Sequence, residues 1–250
     1  MARSVLTNDD LWRVTTIFSR GKAAAQWRDG NLAAALGHVY LLEHLPALLL
    51  TPAAMEAAAA NGHLAVVQWI HSNRPETRSP CAMLCAAENN HLHIVSWLHA
   101  HAYPDALAMD AAAAAGHLEV VQWLHAVVRS PRSCSVRAMD QAAEKGHLDV
   151  LQWLHLYRRE GCTTDAMDYA ACAGHLGIVQ WLAAHRREGC TKKALLYAAF
   201  NGHLAVVQFL CGLPAFQTTD DIQRAMHLSG KNGQRHVADW LRTTLSITRM

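Results

Sequence analysis

Charge is scarce in this chain of 250 residues: 17% are Asp, Glu, Lys or Arg, and the net charge is +2. So small a surplus gives no electrostatic case for nucleic acid or an anionic membrane as partner. Phe (4) and Tyr (5) are also few. No apolar run approaches the roughly 18 residues of a membrane span, and the richest, Leu45 to Leu50, contains Pro46. The start, Met1-Ala2-Arg3-Ser4, leads to Asn8-Asp9-Asp10 rather than to an apolar signal-peptide core, so no secretory signal is read. The seven Cys are odd in number and scattered through a chain large enough to fold without staples, which predicts reduced thiols and a cytoplasmic or nuclear setting. Gly residues never gather into a phosphate loop, and no Gly-x-Ser-x-Gly nucleophile turn is present.

What is abundant is Ala (44), Leu (31), His (17) and Trp (8), within an apolar fraction of 52% that amply supplies a core. The excess comes from repetition. Gly-His before an apolar run occurs at Gly37, Gly62, Gly116, Gly146, Gly174 and Gly202; Asn90-His91 fills the gap and Gly233-Gln234 closes the series. The intervals run from 25 to 31 residues and average 28. Seven residues after each marker stands Trp69, Trp97, Trp123, Trp153, Trp181 or Trp240, with His44 and Phe209 in the other two units. An Ala pair precedes the marker in seven of the eight copies.

Each unit reads as two helices. Runs such as Ala138-Met139-Asp140-Gln141-Ala142-Ala143 are rich in helix formers and stop at a marker suited to a left-handed C′ residue; Asn90 is the one natural substitute for Gly there. The second helix shows apolar spacing at Leu148, Val150, Leu151 and Leu154, with Trp153 widening the stripe and Asp149 and Gln152 on the polar side. One such unit cannot bury both faces, so the array is expected to be an all-α solenoid.

The pattern resembles ankyrin repeats, whose opening Thr-Pro-Leu-His-x-Ala-Ala is approached by Thr51-Pro52-Ala53-Ala54-Met55-Glu56, shifted in register. His227 falls where that family has its His, with Asp110, Asp140, Asp168 and Glu56 in the slot elsewhere. The resemblance covers residues 31 to 241. The short period implies that the family's β-hairpin fingers are trimmed to short loops, and the signature here is Gly-His-Leu-x-Val-Val-Gln-Trp-Leu. A single array is expected over residues 1–250, with a cap over 1–30, repeats over 31–218 and a capping repeat over 219–250. Leu11, Trp12, Val14, Ile17 and Phe18 suit such a cap; an F-box-like helix recruiting a ubiquitin ligase is the alternative for that segment.

Recurrence argues against catalysis. The marker His side chains are expected about 10 Å apart, too far to share a Zn ion, and so to hydrogen-bond the turn between helices. Asp110, Asp140 and Asp168 are equally separated and are expected to accept bonds from loop N–H groups. Cys81, Cys85, His91 and His93 form the one non-repeating set with zinc-like ligand types, but His91 belongs to the marker series. Cys134, Cys162 and Cys190 share a register too widely spaced for disulfides, and buried small residues are expected there. No cofactor, no metal and no enzyme activity follow from this reading.

The units differ where they should face solvent. Expected partner contacts are a basic loop stripe of Arg129, Arg132, Arg158, Arg159, Arg186, Arg187, Lys192 and Lys193, together with Gln141, Tyr169 and Tyr197 at one position of successive first helices. Variable Tyr and Arg on an invariant frame suit protein recognition by a monomer, with an acidic segment on the partner. Nucleic-acid binding and metal-dependent catalysis are the rival readings.

Overall fold

The computed structural model describes residues 29–45, 47–128, 134–216 and 218–248. The expected helix around Leu11 and Phe18 lies outside them, as do Arg129 and Arg132. Among the described residues there are sixteen α-helices and no strand, only an isolated bridge between Asp29 and Leu49.

Each marker divides one pair of helices, and the chain forms two compact units that part after Pro104. The first unit holds α1 (Gly30–Ala35) with α2 (Val39–His44), α3 (Pro52–Ala60) with α4 (Leu64–Asn73), and α5 (Ala82–Glu88) with α6 (Leu92–Ala100). The second holds α7 (Ala108–Ala114) with α8 (Leu118–Val127), α9 (Val136–Lys145) with α10 (Leu148–Tyr157), and α11 (Thr164–Ala173) with α12 (Leu176–His185). It continues through α13 (Lys192–Asn201) with α14 (Leu204–Cys211), and α15 (Thr219–Lys231) with α16 (Arg235–Thr248).

The marker behaves as its composition requires. Its seven Gly have φ between 77° and 91°, and Asn90 has φ 63°. At Gly146 the chain closes a Schellman turn: the His147 N–H donates to Ala142 O at 2.9 Å and the Gly146 N–H to Ala143 O at 3.4 Å. The Ala pair thus ends the helix with its carbonyls and packs with its methyl groups, which are fully buried. A side chain at Gly174 would be strained by φ 83° and would meet the His203 ring within 3 Å, because that ring lies across the glycine from the next repeat.

First helices pack directly on one another within each unit, α3 on α5 and α9 on α11 on α13 on α15, because their facing residues are Ala. Five of the eight Met (Met55, Met83, Met109, Met139, Met167) fill one buried first-helix position, with Leu195 in the next repeat. The second helices bury triplets such as Val150-Leu151-Leu154 and Ile178-Val179-Leu182.

The Trp series corrects the sequence reading. Trp69, Trp97, Trp123, Trp153, Trp181 and Trp240 are all half-buried, at the margin of the second-helix layer rather than inside it. The indole meets a His edge-on: His71 to Trp97 at 5.2 Å, His125 to Trp153 at 5.2 Å, His155 to Trp181 at 5.1 Å. Its other face stacks on the side chain four residues later, His101, Tyr157 or His185. His71, His125 and His155, which end Trp-Ile-His or Trp-Leu-His runs, thus each serve the Trp of the next repeat.

Candidate recognition surface

A surface free to bind is what remains once the fold has used its own polar groups, and those uses recur. In three repeats of the second unit an Asp six residues before the marker holds the N-cap of the next repeat. Asp168 accepts from the Thr191 N–H at 2.8 Å and its hydroxyl at 2.5 Å; Asp140 accepts from Thr163 at 2.8 Å in both bonds; Asp110 accepts from Ser135 at 2.8 and 2.5 Å. Thr191, Thr163 and Ser135 in turn accept from the N–H groups two residues on and so cap α13, α11 and α9. Burial pushes the Asp140 carboxyl up from its ordinary value, against the lowering effect of the Thr163 bonds. These carboxylates bond the loop N–H groups as expected, and the hydroxyl contact is an addition.

The marker His side chains bond across repeats rather than within their own turn. The Nε2 atoms of His63, His91 and His203 lie 3.0–3.1 Å from the carbonyls of Ala35, Ala60 and Cys172, each near the end of the preceding first helix. They occupy helix-end carbonyls that would otherwise need another donor. Among the described residues no three His, Cys, Asp or Glu side chains gather as a metal-ligand set. Cys81 is exposed at the α5 N-cap, while the Cys85 thiol is pushed up to about 11 by burial.

The basic stripe divides by alternate residues. Arg158 grips Glu160 through two bonds, at 3.2 and 2.5 Å, and its other nitrogen lies 3.4 Å from His125 Nδ1. Arg186 repeats this with Glu188 and with His155 Nδ1 at 3.3 Å. Both guanidinium groups are largely covered, with side-chain exposures of 15% and 21%. They press on the buried thiols of Cys134 and Cys162, which burial pushes up to about 12 and 11. Lys192 is committed as well, 2.8 Å from the buried carboxylate of Asp221, whose pKa its bond lowers. Three cations of the expected stripe thus join the chain to itself, whereas Arg159, Arg187 and Lys193 extend into solvent. The repeated Arg-Arg-Glu-Gly-Cys-Thr segment was the available signal: an acid two residues after the first Arg, in a loop too short to separate them.

The first-helix face carries the remaining variation. Its matched positions read Ala111, Gln141, Tyr169 and Tyr197 in α7, α9, α11 and α13, and three residues on they read Ala114, Glu144, Cys172 and Phe200. Gln141 is half-buried, while Tyr169, Tyr197 and Phe200 are 38–43% exposed. Cys172, Leu196, Tyr197, Phe200, Asn201 and Leu228 border a cavity of about 380 Å³. His227, in the register of the clamp acceptors, is exposed on α15 instead. Sequence reasoning found Tyr169 and Tyr197 but missed Leu196, Phe200 and Leu228, because a groove forms between helices and has no spacing within either one.

Comparison with known proteins agrees with this construction. A family model described as ankyrin repeats in three copies matches residues 54–130, 139–221 and 167–248, and a second, ankyrin repeats in many copies, matches 109–155. No curated protein matches the chain. Among solved structures, the human ASB11 ankyrin repeat domain superposes with a TM-score of 0.52 at 18% identity, over 74% of this chain and 99% of that one. That likeness concerns the fold alone. With the helix pairs, the left-handed marker and the matched residues in agreement, the chain belongs to the ankyrin repeat family.

Proposed function

We propose that this protein is a non-enzymatic recognition module that binds a protein partner along the loops and first-helix face of its second unit. Ankyrin repeats generally mediate protein–protein interaction. The observation that carries the reading is the division of labour among polar groups. Recurrent Asp, His and first-position Arg side chains are occupied inside the frame, whereas Arg159, Arg187, Lys193, Tyr169 and Tyr197 are exposed, and other repeats fill the Tyr position with Ala111 or Gln141. Tyr and Arg are among the side chains that most often carry interface energy, and exposed cations favour an acidic segment on the partner. An interface of ordinary size would cover roughly 800 Å² on each side.

The test is affinity capture with the intact chain and with Arg159→Glu, Arg187→Glu and Lys193→Glu combined. None of these three cations takes part in the clamps, so helicity and unfolding midpoint should be retained. Partners captured by the intact chain should be lost or weakened, more so at low salt. Equal capture by both chains would remove this surface from the proposal.

A further inference from the structure

We infer that the groove between α13 and α15 is a pocket for one bulky aliphatic or aromatic side chain of an acidic protein segment. The inference rests on the recognition reading and names the partner's chemistry within it. Large apolar side chains are gathered here: Tyr197 and Phe200 are exposed on α13, and Leu196 and Leu228 are half-buried beside them. The same face is Ala111 and Ala114 at α7. A cavity of about 380 Å³ lies within the size range of ligand sites, and an apolar recess holding an anchor side chain is the usual form of an interface hot spot.

The rim selects the charge. Lys193 stands one turn before Tyr197 on the same helical face, and Lys231 three residues after Leu228; both are exposed. Asp220, the acid at the start of α15, is already held by Arg224 at 3.1 Å. An incoming segment therefore meets an apolar floor between surplus cations, which favours Asp or Glu beside the anchor and disfavours Lys or Arg there.

The probe is a library of random dodecapeptides displayed on phage. It is selected on the full chain and counter-selected on Phe200→Glu, with Tyr197→Ser as a second variant should the first fail to keep the parent's helicity and unfolding midpoint. Enriched peptides should share one large apolar residue next to acidic ones. A synthetic copy should lose about tenfold or more in affinity when that anchor becomes Ala, when Phe200 becomes Glu, or when Leu228 becomes Gln. Peptides that bind parent and groove variants alike, or that lack an apolar anchor, would overturn the pocket. Sedimentation showing a dimer that Phe200→Glu dissolves would overturn it too, giving the groove to a second copy of the chain. Peptides lost on reversing Arg159 and Arg187 but untouched by the groove variants would reject the groove and leave the recognition reading standing. No enrichment on any chain would reject both.

Discussion

The two units solve one joint with different strengths. In the second, Asp110, Asp140 and Asp168 each hold an N-cap Ser or Thr through both its N–H and its hydroxyl, and the next repeat, with Leu196, lacks the clamp. In the first, the same position carries Asn31, a neutral residue that bonds Thr51 at 3.0 and 2.9 Å, then Glu56, which reaches only the Ser79 hydroxyl at 2.6 Å, then Leu84. The loop arginines differ in parallel. Arg158 and Arg186 are closed by the Glu two residues on, whereas in the first unit the matched Arg74 lies 3.9 Å from Glu76 and the exposed Arg78 bonds the His71 carbonyl. The backbone position is what is kept; the chemistry filling it varies from a buried charged clamp to none.

The largest expected effect tests that contrast directly. Asp168→Ala removes two charge-assisted bonds at a fully buried site and should cost about 3 kcal/mol in urea unfolding, whereas Asn31→Ala should cost about 1 kcal/mol. Equal losses would show the two clamps to be equivalent. Trp153→Ala and Trp97→Ala should agree instead, at about 2 kcal/mol each, because both indoles are half-buried between an edge-on His and a stacked ring. Next, Arg186→Ala should cost about 1–2 kcal/mol, and Arg78→Ala about 0.5 kcal/mol.

Acid should first affect both units and then single out the second. His71 is held below its ordinary value of 6.5 by burial and by Arg78 and His101; His155 is held below it by burial and by Arg186 and His185. A lowered folded pKa means that the unfolded chain takes up protons first, so stability present above pH 6.5 is lost as pH falls toward the folded values. The unfolding temperature should drop between pH 7 and 5, and His71→Gln and His155→Gln should each flatten that drop. Below pH 4.5 the Arg186 bond that lowers the Glu188 pKa is lost in the same sense, and Glu188→Gln should blunt this step. Asp140, raised by burial, works in the opposite direction. The smallest effect belongs to neighbours of the clamp: Arg187→Glu should stay within about 0.5 kcal/mol of the parent, and a loss as large as that of Arg186→Ala would erase the distinction between adjacent arginines.

Much of the frame was readable because it recurs. A left-handed position favours Gly or Asn, so the marker announced the end of each first helix, and the Ala pair before it announced close packing. The Asp series was readable for the same reason. Asn31 and Ser79 escaped because the acceptor and the cap lie about twenty residues apart and neither keeps one residue type. The Trp series misled: its apolar spacing predicted burial, but a ring so large fits at the layer margin, where His edges and i+4 side chains cover it.

The sequence by itself determined the period, the helix pairs, their ends and the family, since each depends on local backbone preference multiplied through the chain. Only the tertiary structure decided which polar groups were spent. Arg158 and Arg159 are indistinguishable as letters, yet one guanidinium is closed by Glu160 against His125 and the other is exposed. Leu196, Phe200 and Leu228 likewise become one groove only when α13 and α15 are laid side by side. Burial depends on neighbours from other repeats, and no spacing within a single repeat encodes it.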